Sequence, residues 1–247
     1  MNNLVIAILQ IDIIPNDATA NCSKIEELIW ELDQKVDLIL LPELFNIGFH
    51  FEKKNTEPKN FTTFKWLKRM SEMTQATIFG SILEKDQKHI YNRSYAVAPD
   101  GSYQTYDKRH LFVKSEEPNF CTPGSKTTTF FVKGWKIQPS ICFDLRFPVW
   151  CRNIDQADLF INIANWPAKR IDTYSTLLKA RAIENQVYTI GVNRIGTDLN
   201  GGEYNGNSSV FDFKGELLNE PSNREEILIT TLEKEKLEDF NMNQREE

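Results

Sequence analysis

The chain has 247 residues, 40% hydrophobic and 26% charged, enough for one sizeable core in one domain. Its formal net charge is -6, with Lys and Arg scattered among acids, which speaks against a nucleic-acid or acidic-membrane partner. No apolar run approaches the roughly 20 residues of a membrane span, and no positive leader precedes the first apolar run, so a cytoplasmic protein is expected.

In chain order, residues 4–11 are almost wholly apolar and β-branched, which predicts a strand covered on both faces. Over residues 21–34, Ile25, Leu28, Ile29 and Leu32 fall on one helical face. Residues 38–41 form the next apolar run, stopped by Pro42 and Glu43. Phe64, Leu67, Met70 and Met73 mark a second amphipathic helix. Strand-like runs follow at 77–84, 90–98 and 102–107, the last two joined at Pro99-Asp100-Gly101 as a hairpin. Residues 114–124 read as a loop. Residues 130–132 and 136–142 read as strands parted by Gly134. Beyond Cys142 comes a polar, helix-like segment, then a strand at 159–163, a helix at 174–185 and a strand at 188–192. Residues 200–206 read as a Gly/Asn-rich loop. Gly215 suggests a hairpin pairing 209–213 with 227–232, and the charged tail from Glu233 reads as a short helix or a frayed end. No repeat, linker or composition shift divides the chain, so one α/β domain is expected over 1–247, with its core at about 4–232.

The four cysteines, Cys22, Cys121, Cys142 and Cys151, form no CxxC pair and read as reduced thiols. The three histidines lack metal-ligand spacing, so no metal site is expected. Asn92-Arg93-Ser94 matches a glycosylation acceptor, which carries no weight without a leader.

Three positions share a context. Glu43, Lys108 and Cys142 each close an apolar strand run. If those strands share a sheet and direction, the side chains meet at one rim, where chemistry concentrates in α/β folds. Taken singly they are unremarkable. A cysteine between Ile141 and Phe143 is ordinarily a small buried hydrophobe, and a lysine is ordinarily a surface residue. Together they are complementary. A thiol needs a base or a cation to act as a nucleophile, a carboxylate can take its proton, and an ammonium can hold an oxyanion. A Cys/His pair using His110 is the alternative.

Around these positions the sequence resembles the nitrilase superfamily, the carbon–nitrogen hydrolases with a Glu-Lys-Cys triad. The resemblance rests on Leu40-Leu41-Pro42-Glu43-Leu44-Phe45, on Tyr106-Asp107-Lys108-Arg109-His110-Leu111-Phe112, and on Ile141-Cys142-Phe143-Asp144-Leu145-Arg146-Phe147-Pro148. It runs from Val5 to about Leu232. Within the superfamily the chain is most similar to the omega-amidase branch, through residues 164–168, 180–186 and 191–198. The resemblance implies an α-β-β-α sandwich, a homodimer, no cofactor, and hydrolysis of the terminal amide of 2-oxoglutaramate and 2-oxosuccinamate. It implies Glu43 as base, Cys142 as nucleophile, and Lys108 with the Phe143 N–H as oxyanion donors. It also implies an accessory glutamate after the lysine, matched better by Glu117 than by Glu116, although relatives carry His where Pro118 stands. A keto-acid carboxylate wants a cation, for which Arg146, Arg170 and Arg194 are candidates, with an Arg146–Asp144 ion pair as the competing reading for the first. Trp166 is either a cavity wall or a core residue. Another hydrolase of the superfamily (a nitrilase or an N-carbamoyl amidohydrolase), a non-catalytic scaffold, and an acyltransferase are the rival functions.

Overall fold

The first strand, β1 (Leu4–Gln10), is apolar at nearly every position, so it needs cover on both faces. It has that cover in the computed structural model, which describes residues 2–243. Ile6 and Ile8 join the core between two sheets, with Leu38, Leu40, Phe79, Ile137 and Ile161. Ala7 and Leu9 pack the other way, with Ile25, Ile29, Leu67 and Met70 of two outer helices. The period-2 alternation of side chains thus feeds two cores. Each fully buried Leu or Ile stabilises the fold by roughly 2 kcal/mol.

The first sheet runs β14 (Glu226–Leu232), β1, β2 (Leu38–Leu40), β4 (Thr77–Asp86), β5 (His89–Val97), β6 (Tyr103–Asp107), with β3 (Glu57–Pro58) on β4. The second runs β13 (Ser209–Phe211), β10 (Tyr188–Asn193), β9 (Leu159–Ala164), β8 (Trp135–Ile141), β7 (Phe130–Val132). Helices α1 (Ala18–Trp30) and α2 (Thr62–Thr74) lie against the first sheet and α4 (Ile171–Asn185) against the second. The result is the expected α-β-β-α sandwich. Among the described residues no helix is long and apolar enough to cross a membrane.

Several expectations are corrected. The hairpin between 209–213 and 227–232 does not form. Gly215 (φ +81°) turns the chain only far enough for Leu217 to bridge Phe211. β14 instead crosses to the first sheet and pairs antiparallel with β1, Leu4 opposite Leu232. The reason is the open side of β1, whose buried backbone groups need a long partner strand. Residues 200–206 are not wholly loop, because β12 (Glu203–Asn205) pairs with β11 (Ile195–Thr197). The 114–124 loop contains a one-turn helix, α3 (Glu117–Phe120). Met73 and Ile183, assigned to apolar faces, are exposed. α1 starts before Asn21 because the Asp17 side chain caps it, accepting from the Ala20 N–H at 2.9 Å. The tail is helical as expected, as α5 (Lys234–Asn243), with Phe240 packed on Phe213.

Candidate active site

Glu43 and Lys108 belong to the first sheet and Cys142 to the second, so the three strand ends do not share a sheet. β2 and β6 run in the same direction, because β4, β5 and β6 alternate. Their carboxyl ends therefore open on one rim, and β8 ends facing that rim from across the core.

Each position is fixed by backbone chemistry. After Pro42, which has no N–H to extend the ladder, Glu43 is followed by Leu44 at φ +49°, whose N–H donates to Ser81 Oγ at 2.9 Å. The Lys108 N–H donates to the Asn92 carbonyl at 2.9 Å, and its own carbonyl accepts from Gly124 N–H at 2.8 Å. Only glycine fits at 124, since a Cβ there would run into the Asp107 carbonyl. Cys142 follows β8 at φ +46°, a region ordinary residues avoid, and opens a five-residue 3-10 turn to Arg146. That strained corner is held by Asp144. Its buried carboxylate accepts from the Ile141 N–H (3.1 Å), the Tyr106 hydroxyl (2.7 Å) and the His110 N–H (2.8 Å). Asp144→Ala leaves these donors unpaired, at a cost of about 3 kcal/mol or more. For a chain of this size the melting temperature is expected to fall by roughly 6–12 °C. Calorimetry showing no change would mean the corner stands without it.

The charged groups form one buried cluster. Lys108 Nζ lies 2.8 Å from Glu43 Oε1 and 2.9 and 2.8 Å from the two oxygens of Glu117, and all three side chains are fully buried. Asn92 Nδ2 bridges the carboxylates, donating to Glu43 at 2.9 Å and to Glu117 at 3.1 Å. The second Glu43 oxygen accepts from the Asn165 N–H (2.9 Å) and side-chain amide (3.2 Å). Glu117 also accepts from the Phe112 N–H at 2.7 Å. Glu116 is exposed, so of the two glutamates only Glu117 reaches the cluster. Pro118 sits exposed in the first turn of α3, where a missing N–H does no harm.

The electrostatics follow from burial. Burial alone would lower the Lys108 ammonium, but the charges of Glu117 and Glu43 outweigh it and hold its pKa well above the ordinary lysine value. Burial raises the Glu117 carboxyl, with Lys108 opposing. Burial also pushes the Cys142 thiol well above its ordinary value, Glu43 pushes it further, and Lys108 pulls it back. The balance favours the thiol form of the resting cysteine. A thiolate there would join two carboxylates facing a single ammonium.

Cys142 lies at a cavity of about 810 Å³, walled by Phe49, Phe112, Phe143, Trp166 and Arg170. Arg146 also reaches it. It is exposed and makes no ion pair with Asp144, its guanidinium lying over the Trp166 ring at 5.2 Å. Trp166 is both wall and core: it is buried, stacks on Tyr174, and donates its indole N–H to the Arg170 carbonyl at 2.9 Å. Arg194 is outside this cavity. It is buried against Tyr204 and donates to Asp12 at 2.9 Å. His110 does not pair with Cys142, because its Nδ1 is engaged by Asp144 at 2.9 Å and its ring stacks on Phe147. Cys121, Cys151 and Cys22 lie away from the cavity wall. The Cys121 thiol is pushed up to about 12 by burial, and the other two are also raised by burial.

Sequence reasoning missed Asn92, Asp144 and the side-chain role of Asn165. Asn92 was read only as part of a glycosylation match, and its burial leaves no room for a glycan.

Fold and site together define an enzyme class, that of amide-hydrolysing proteins built on this sandwich. The carbon-nitrogen hydrolase family model matches residues 5–241. The omega-amidase YafV of Yersinia enterocolitica is 41% identical over 217 residues, covering 88% of this chain and 84% of that protein. The 2-oxoglutaramate amidase of Bacillus subtilis is 31% identical over 229 residues, covering 90% and 88%. The crystal structure of XC1258 from Xanthomonas campestris, a CN-hydrolase superfamily protein, superposes with a TM-score of 0.95 at 35% identity, covering 98% of this chain and 95% of that one. The chain belongs to the carbon–nitrogen hydrolase family.

Proposed function

We propose that the protein is an omega-amidase that hydrolyses the terminal amide of small omega-amide 2-oxo acids, such as 2-oxoglutaramate and 2-oxosuccinamate. The observation that carries this reading is Cys142 at the cavity floor, beside a lysine clamped by two carboxylates. The omega-amidase and 2-oxoglutaramate amidase activities of the Yersinia and Bacillus relatives support the substrate class.

In the proposed reaction Glu43 takes the Cys142 proton as the sulfur attacks the amide carbon. Proton transfer concerted with attack avoids a free thiolate in a site that already carries two carboxylates. The carbonyl oxygen becomes an oxyanion held by Lys108 and the Phe143 N–H, which sits in the first turn of the 3-10 corner, where an N–H has no intrahelical partner. Glu43 returns the proton to the nitrogen, the carbon–nitrogen bond breaks, and ammonia leaves a thioester on Cys142. Glu43 then takes a proton from water as its oxygen attacks the thioester. The acid is released and the sulfur recovers its proton. Glu117 also holds Lys108, so the ammonium is tied to two acids rather than one. The same reading has the protein acting in the cytoplasm and, on the resemblance alone, without a cofactor and as a homodimer.

The test is ammonia release by the purified protein from 2-oxoglutaramate, with glutamine and a simple nitrile alongside. Turnover of the keto-amide at least about 100-fold more efficient than of the other two is expected, since a polar site rejects a substrate lacking its paired group by large factors. Preference for the nitrile would replace the omega-amidase reading with a nitrilase reading.

A further inference from the structure

We propose that Arg170 is the side chain that reads the substrate's carboxylate, which makes the cavity selective for amides carrying an anionic tail. The inference rests on the amide-hydrolase reading of the same site and assigns its specificity to a residue.

Arg170 ends the 3-10 turn Ala168–Arg170, just before α4, and lines the cavity. Its backbone carbonyl is tied to the Trp166 indole and its guanidinium lies over the Phe112 ring at 5.1 Å. Both anchors belong to segments that build the reactive centre. Trp166 follows Asn165, which holds Glu43, and the Phe112 N–H holds Glu117. A shift of Arg170 is therefore registered against both acids. Its Nε is buried and has no hydrogen-bond partner among the described residues, and no described carboxylate lies within 4.0 Å of its guanidinium. A buried guanidinium N–H without an acceptor is an unfilled site, and a carboxylate is the acceptor whose shape and charge suit it.

The other arginines of the neighbourhood are paired within the protein, or, like Arg146, reach the cavity from an exposed position. Arg194 is paired with Asp12 and lies off the cavity wall, even though its Nη1 also lacks a partner. Arg181 donates to the Leu145 carbonyl, and Arg93 to Glu84 and Asp107. Arg146 is exposed over the outer face of Trp166, where it attracts anions through solvent without fixing their position.

Charge also sets the direction of binding. Behind Cys142, off the cavity wall, the buried acids Glu43 and Glu117 share the single cation Lys108. A carboxylate end is disfavoured beside those acids and drawn to the Arg170 wall, which leaves the neutral amide end at Cys142. The residue that reads the tail thus chooses which end of the molecule reacts.

The experiment measures kcat/KM of the wild type, Arg170→Gln, Arg170→Lys and Arg146→Gln on 2-oxoglutaramate and on pentanamide, a neutral amide of the same chain length. Arg170→Gln is expected to lower the ratio of the two kcat/KM values on the order of 10- to 100-fold, chiefly through KM, with Arg170→Lys between it and the wild type. An unchanged ratio, or a loss that falls on Arg146→Gln instead, overturns the assignment. An equal loss on both amides also overturns it, by reducing Arg170 to a packing role. If the wild type does not turn over 2-oxoglutaramate, the omega-amidase reading fails separately. Glutarate titrated calorimetrically into wild type and Arg170→Gln then decides the subsite. Binding weakened at least 10-fold in the variant supports it, and equal or absent binding overturns it.

Discussion

Replacing Cys142 by alanine is expected to stop ammonia release, with a loss of at least about 10⁴-fold in kcat and no change in the cooperative unfolding of the protein. The size of the effect follows from what else the cavity floor offers. Lys108 cannot stand in as nucleophile, because its ammonium is held between two carboxylates and its proton is bound more tightly than in ordinary lysine. Cys121 is buried and pushed up to about 12, and the Cys151 sulfur points at the Asp144 carbonyl at 3.1 Å. Glu43 could still activate water, but water lacks the covalent step that divides the barrier in two. The fold survives because alanine is smaller and removes no hydrogen bond shorter than 4.0 Å. The complementary readout is intact mass of the wild type quenched during turnover. It should show a protein heavier by the acyl group, and the alanine variant should show none. Ammonia release by the variant near the wild-type rate would remove the thioester from the mechanism.

Glu43 and Cys142 were legible because each follows a run rich in apolar residues, which is visible in one dimension, whereas Lys108 follows the largely polar strand Tyr103–Asp107 and was found by resemblance. Which sheet each run joins was not legible. β2 and β8 are both short apolar strands with helices beyond them, and nothing local to Leu38–Leu40 or Trp135–Ile141 says that they face each other across a core. The same blindness produced the false hairpin at Gly215, since a turn signal identifies a reversal but not the partner of the strand that follows. Asn92 and Asp144 were missed for another reason. Each is a single polar residue whose role exists only through partners far along the chain: Glu43 lies 49 positions from Asn92, and Tyr106 lies 38 from Asp144. Glu117 was found by resemblance, and its burial in a one-turn helix within a polar loop could not have been read from the pattern around it.

Lys108→Met should destabilise the protein by about 3–5 kcal/mol at pH 7, the usual cost of removing one partner from a buried ionic cluster. Methionine keeps most of the lysine's length, so the loss reports charge rather than a cavity. What remains is Glu43 and Glu117 bridged by Asn92, two fully buried carboxylates with no cation. The pH dependence separates this cause from a packing defect. Burial already raises the Glu117 carboxyl above its ordinary value in the native protein, with Lys108 opposing. Without the ammonium that opposition is gone and the carboxyl rises further. A carboxyl whose folded pKa exceeds its unfolded value gives stability that is full below the unfolded value, about 4.3, and lost as pH rises through the folded value. The deficit of Lys108→Met is therefore expected to be smallest near pH 4 and to widen toward pH 8. The wild-type lysine follows the same rule in a much higher pH window. Its raised pKa makes its contribution complete below the ordinary lysine value, about 10.4, and lost only above that. It adds no slope of its own between pH 4 and 8, so the widening belongs to the carboxylates. Denaturant melts of both proteins at several pH values read this directly. A deficit that is flat or narrows with rising pH would mean that the two acids are not left charged against each other. Turnover should also fall by at least about 10²-fold, through the lost oxyanion donor, and it should not recover at pH 4–5, where stability does. The divergence of those two recoveries separates the part Lys108 plays in holding the acids together from the part it plays at the substrate's oxygen.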